Sequence, residues 1–202
     1  MQDLLINIFD QPLGIILTQL ILATRFTIYL SLIAFLGGGL VAVIITFLRI
    51  YPSKILNYIS FCYTWLFQSL PLLMLLFIIG LGIPRFIGQD FDPWYAASIS
   101  LIIFTSAYLS EVWRGAIMAI PSGQWEGGVA LNLNFTQTLR FIIIPQVYKY
   151  SIAPTVSFLI QIIKGTSLAY IIGFQDLMLL GKRWACLLYT SPSPRDFTES
   201  RM

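Results

Sequence analysis

Residues 26–48 read FTIYLSLIAFLGGGLVAVIITFL, and none of these positions carries a charged side chain. A spanning helix needs about 20 predominantly apolar residues, so this stretch is long enough to cross a bilayer. The uncharged residues from Pro12 to Thr24 either extend that helix or lie at the interface, which puts a first span at about 12–48. The rest of the chain has the same character. Of its 202 residues 57% are hydrophobic and 10% charged, against about 25% charged in an ordinary soluble domain. A chain so poor in charge cannot clothe a water-facing surface. Four or five spans of about 20 residues use up the length and leave no room for a second, soluble domain. The net charge of +3 is scattered, with no stripe to suit nucleic acid. There is no histidine, and Cys62 and Cys186 are too far apart for a local metal knuckle or redox pair. Most metalloenzymes and histidine-based nucleophiles are thereby excluded, so no metal site and no catalytic residue is expected.

Three further spans follow. Residues 55–83 are longer than the hydrocarbon core requires, which predicts tilt or a kink, with Gln68, Ser69 and Pro71 in the middle. Residues 94–115 end in Glu111 and Arg114, and residues 150–173 contain Pro154 and Lys164. Arg49 and Lys54 separate the first two spans, and Arg114, Arg140 and Lys149 lie beside or between the last two. The cytoplasmic bias of Lys and Arg places 49–54 and 115–149 inside, and the N-terminus and the 84–93 loop outside. Arg25 dissents. Asp3 and Asp10 precede the first apolar run, and no positive region marks a cleaved signal. Trp94 and Tyr95 suit the outer boundary and Tyr148 and Tyr150 the inner one. Gly37, Gly38 and Gly39 suit close helix packing. Residues 187–202, LLYTSPSPRDFTESRM, turn abruptly to Ser, Pro and charge. This string resembles one appended to unrelated predicted proteins by sequencing read-through. The expectation is a transmembrane region over 1–185, a non-native or disordered tail over 186–202, and a last helix cut short.

The connection over 118–146 lies within SAYLSEVWRGAIMAIPSGQWEGGVALNLNFTQTLRFIIIPQ (106–146), and it is long for a loop between spans. Its signals predict two short helices. Pro121 and Ser122 offer a start with Ser122 as N-cap, and Glu126 follows where a carboxylate complements the helix dipole. Asn132 can take the left-handed conformation that stops a helix. Asn134 then caps a second helix, with Gln137 completing a capping box, and Pro145 interrupts that helix near the last span. Trp125 and Val129 share one side of the first helix.

Here the chain resembles the permease subunits of bacterial ABC importers. Their signature E-A-A, a later Gly and I-x-L-P reads Glu126-Gly127-Gly128, Asn132 and Ile142-Ile143-Ile144-Pro145. The polar amino acid uptake branch is matched by Tyr108, Glu111, Arg114-Gly115 and Gly123-Gln124. It is matched again by FQSLPLL over Phe67–Leu73, similar to F-R-G-T-P-L-L, and by Lys164-Gly165-Thr166-Ser167-Leu168, similar to K-D-T-S-L. These motifs run in order over about residues 18 to 185. Gly127 and Gly128 depart from the family's alanines, which lowers helix stability by about 0.5–1 kcal/mol each. Gln68 stands where the family has Arg, and Gly165 where it has Asp.

The resemblance implies an all-α permease bundle of four to five transmembrane helices with a cytoplasmic coupling helix. It implies a bacterial inner-membrane location, two ABC ATPase subunits below and a second permease copy or paralogue alongside. An extracytoplasmic substrate-binding protein would deliver a polar amino acid. ATP and Mg would sit on the partner ATPase and no cofactor on this chain, which is no enzyme: no G-x-x-x-x-G-K-S/T occurs, and Gly181-Lys182 is followed by Arg183. Coupling would fall to Gly123, Gln124, Trp125, Glu126, Gly127, Gly128, Val129 and Asn132. Glu126 reads either as a docking carboxylate or as a surface charge compensating the dipole. Glu111 and Arg114 read as a gating contact or a local ion pair. Gln68, Ser69 and Pro71, with Lys164, Thr166 and Ser167, line a path or else serve as a packed kink and interhelical glue. The competing function is an ATP-independent secondary carrier or channel, though its usual intramembrane acids are lacking here apart from Glu111.

Overall fold

The computed structural model describes residues 11–88 and 91–190. Asp3, Asp10 and Asp90 lie outside them. The first helix, α1 (Gln11–Ile50), is 40 residues long, or about 60 Å. The Pro12–Thr24 stretch therefore extends the span. A three-residue elbow leads to α2 (Lys54–Ser69). After Leu70 and Pro71 comes α3 (Leu72–Phe77), which passes through a π turn at Ile78–Gly82 into α4 (Ile83–Ile87). The α2 and α3–α4 segments meet at 96°. The kink expected in the second span is thus a full break, placed where proline removes a backbone donor and the preceding Leu70 is extended.

Helix α5 (Pro93–Met118) is the centre of the bundle. Small residues all round it, Ala96, Ala97, Ser98, Ser100, Thr105, Ser106 and Ala107, are buried. Against it lies the glycine run of α1. A Cβ on Gly38 would stand 2.5 Å from Thr105 Cβ and 3.0 Å from the Ile102 carbonyl oxygen, so this crossing requires glycine. Leu30, Leu76, Leu101, Phe104, Phe158 and Ile162 fill the main core. A second core of Ala116, Ile117, Ile120, Leu139, Ile143 and Val147 closes the end that carries the 119–134 connection, hereafter the loop end.

That connection holds α6 (Ser122–Ala130) and leads into α7 (Phe135–Thr138), which runs through a π turn at Leu139–Ile143 into α8 (Ile144–Thr166). One expectation needs correction. Pro145 does not interrupt the helix, because it sits in the first turn of α8, directly after the π turn. The helix that carries the last span is therefore continuous from Phe135 to Ile172. A 3-10 turn, Ser167–Ile172, ends it at Gly173, whose φ of 88° is left-handed. The final helix, α9 (Leu177–Thr190), continues past Ala185 into the stretch assigned to a tail, and residues 191–202 lie outside the described residues.

Among the described residues three helices are long and apolar enough to cross a membrane, or four when the bent pair counts as one span. Large apolar side chains such as Leu40, Ile55 and Phe86 stand on the outside, the reverse of a water-soluble surface and the arrangement a lipid environment stabilises.

Candidate functional site

At the loop end, α6 begins after Pro121, and Ser122 is its first helical residue, with no side-chain cap. The N-cap expected at Ser122 falls one residue earlier, where proline's fixed φ already suits the entry and Gln124 N–H reaches the Pro121 carbonyl. The stop at Asn132 is as expected: φ is 55°. Leu133 N–H donates to the Gly128 carbonyl and Asn132 N–H to that of Val129, a Schellman ending. Asn134 and Gln137 form the expected capping box, with Asn134 N–H donating to Gln137 Oε1 at 2.9 Å.

These two caps fold α6 back onto α7. The Trp125 and Phe135 rings stack at 5.8 Å and 17°. Gly128 lies against Thr138, where an added Cβ would stand 2.6 Å from Oγ1, while Gly127 faces open space. The two glycines thus differ: one permits a close approach and the other does not serve packing. Trp125, Glu126, Val129, Leu133, Phe135 and Thr138 line an open cleft of about 400 Å³. Val129 is 74% exposed and Leu131 70%. Glu126 is exposed, without an ion pair among the described residues. Gln124 Oε1 accepts from Gln146 Nε2 at 2.8 Å, tying α6 to α8. Gly123 is exposed near the start of α6.

Within the last two turns of α5, Glu111 Oε2 accepts from Arg114 Nε at 2.6 Å. Glu111 Oε1 also lies 3.7 Å from Arg49 Nε at the end of α1. Arg49 had announced only charge in the sequence, and its partner 62 positions away is beyond any local pattern.

At the helix break, Gln68 Nε2 donates to the Ala107 carbonyl at 3.1 Å, and Tyr108 OH donates to the Gln68 carbonyl at 3.3 Å. Ser69 Oγ bonds back to the Trp65 carbonyl, and Pro71 is the last residue before α3. Gly165 of α8 rests against Leu72, so the Lys164–Ser167 segment lies beside the break. Thr166 is buried, its Oγ1 donating to the Ile163 carbonyl, whereas Lys164 is exposed and unpaired among the described residues. No hydrogen bond joins Gln68 to Lys164 among the described residues. Asp176 gave no signal beyond its place ahead of a helical run. It is 1% exposed, caps α9 by accepting from Leu179 N–H, and leaves Oδ2 without a partner. Burial pushes its carboxyl above the usual range.

Residues 35–186 match the family described as the inner membrane component of binding-protein-dependent transport systems. The chain belongs to that family. It is a permease component of the ABC importer type, and its membrane is the inner membrane. A probable amino-acid ABC transporter permease, YckA of Bacillus subtilis, is 31% identical over 153 residues, covering 76% of this chain and 67% of that protein. The L-cystine permease TcyB of the same organism is 35% identical, covering 71% and 61%. The glutamine permease GlnP of Escherichia coli is 29% identical, covering 81% and 75%. The chain thus spans between three fifths and three quarters of these relatives. The crystal structure of an amino acid ABC transporter with histidines superposes with a TM-score of 0.79 at 26% identity, covering 85% of this chain and 80% of that one. The MetNI methionine transporter in an inward-facing form shares the fold, with a TM-score of 0.70 at 18% identity over 94% and 88% of the two chains.

Proposed function

We propose that this chain forms the translocation path for a polar amino acid and takes its driving force from two ABC ATPase subunits docked on α6. Relatives named for glutamine, cystine and arginine transport support the substrate class. The observation that carries docking is the cleft at α6. It sets an exposed carboxylate, Glu126, unpaired among the described residues, between an indole and an exposed valine. An apolar anchor beside a charge is the usual make-up of a specific contact. ATP and Mg belong to those partner ATPases. A second permease, a copy of this chain or a paralogue, completes the path, and an extracytoplasmic binding protein delivers substrate.

The loop end faces the cytoplasm in this reading, and the N-terminus the outside. Gln68, Ser69 and Pro71 at the break, with Lys164, Thr166 and Ser167 beside it, border the path. The Lys164 ammonium, exposed and unpaired among the described residues, is suited to a substrate carboxylate. Glu111 and Arg114 hold the base of the loop.

Purification of the tagged chain in mild detergent, beside Glu126→Lys, tests the docking. Capture of a P-loop ATPase by the parent and its loss from the variant is the expected result. If the parent brings down no ATPase, a gradient-driven carrier becomes the better reading.

A further inference from the structure

The loop is joined by covalent chain only to α5 and α8, yet it also touches the elbow between α1 and α2. Tyr51, in the elbow, meets Phe135 edge-on with centroids 5.9 Å apart, and Phe47 lies 5.7 Å from Tyr51 on the other side. Phe135 is the ring that stacks on Trp125. Four aromatic rings therefore connect the exposed face of α6 to the last turn of α1. Ile50 packs on the loop-end core beside them.

A polar contact runs parallel to the rings. Arg49 Nη1 donates to the Asn57 carbonyl at 3.2 Å and to Asn57 Oδ1 at 3.1 Å, closing the elbow. Its guanidinium also covers the Phe61 ring at 4.7 Å. The same side chain faces Glu111, with 15% of Arg49 and 23% of Glu111 exposed. Glu111 in turn binds Arg114, whose Nη1 lies 2.6 Å from Met118 Sδ, at the last residue of α5 before the loop. A half-buried pair is less screened than a surface one, so this contact resists separation of the elbow from α5.

We infer that the α1–α2 elbow is a second transmission contact of the coupling helix, with Tyr51 and Arg49 as its positioning residues. This inference rests on the docking proposed above. Displacement of α6 passes through Trp125, Phe135 and Tyr51 into α1, while Arg49 and Glu111 make the elbow follow α5. Without these contacts, the loop would act on α5 and α8 alone, and α1 would lag.

The test uses the complete transporter (permease, ATPase and binding protein) in lipid vesicles. ATP hydrolysis is measured in parallel with uptake of radiolabelled glutamine, cystine and arginine. The expected result for Tyr51→Ala and Arg49→Gln is normal ATPase capture with amino acid moved per ATP lowered about twofold to thirtyfold, the range over which relay residues act. Tyr51→Phe keeps the ring and is expected to match the parent. Variants as well coupled as the parent overturn the inference and leave the docking proposal standing. Loss of ATPase capture from Tyr51→Ala also overturns it, because the elbow would then hold the docking surface together instead of relaying motion. A parent that captures no ATPase defeats the docking proposal itself, and the inference falls with it.

Discussion

Gly127 and Gly128 are neighbours in sequence with opposite constraints. A methyl on Gly127 meets nothing within 4 Å, so Gly127→Ala trades backbone entropy for nothing lost and stabilises α6 by about 0.5–1 kcal/mol. A methyl on Gly128 meets Thr138 at under 3.0 Å, and the collision involves a short β-branched side chain with little freedom to move. Gly128→Ala is expected to lower the thermal midpoint of the purified chain and its ATPase capture, Gly127→Ala to do neither. Thr138→Ala removes two of the three offending atoms and should restore part of the loss. A Gly128→Ala variant as stable as the parent would show that α6 and α7 do not approach this closely.

Between elements, the turn that joins α6 to α7 rests on one left-handed residue. Asparagine tolerates φ near 55° far better than a β-branched side chain, for which it costs about 1–2 kcal/mol. Asn132→Val should therefore loosen the fold of α6 onto α7 and open the 131–134 turn to proteolysis, while Asn132→Gly leaves it resistant. Equal cleavage of the two variants would refute the claim. This turn, the capping box at Asn134 and the glycine crossing at Gly38 were legible in the sequence because each depends on a few adjacent residues. The extent of the last helix was not. Pro145 reads locally as a breaker, yet the π turn before it lets the backbone continue. Arg49 and Tyr51 were hidden for another reason: their partners Glu111 and Phe135 come from helices far along the chain, and one sequence holds no record of which helix faces which. The docking proposed for Glu126 rests on resemblance, with the cap and dipole logic supplying only its place on the helix.

For the whole molecule, the arrangement separates the elbow and loop at one end from residues 91–93 and the 173–176 connection at the other. The sidedness proposed above rests on the charge bias and can be measured. With Cys62 and Cys186 replaced by serine, Lys54→Cys should react with a membrane-impermeant maleimide only after the membrane is opened, and Gln175→Cys in intact spheroplasts. The opposite pattern would invert the topology and place α6 where no ATPase could reach it. The crossing of α1 with α5 bears on biosynthesis as well. Thr46 Oγ1 donates to the Ser110 carbonyl, 64 residues further along the chain. At about 5–20 residues per second the ribosome needs about 3–13 s to make that interval. During that time α1 sits in the bilayer with its glycine face bare and the Thr46 hydroxyl without its distant acceptor. The nascent chain is therefore most open to wrong helix partners before α5 is released, and α5 is the segment whose arrival ends that exposure.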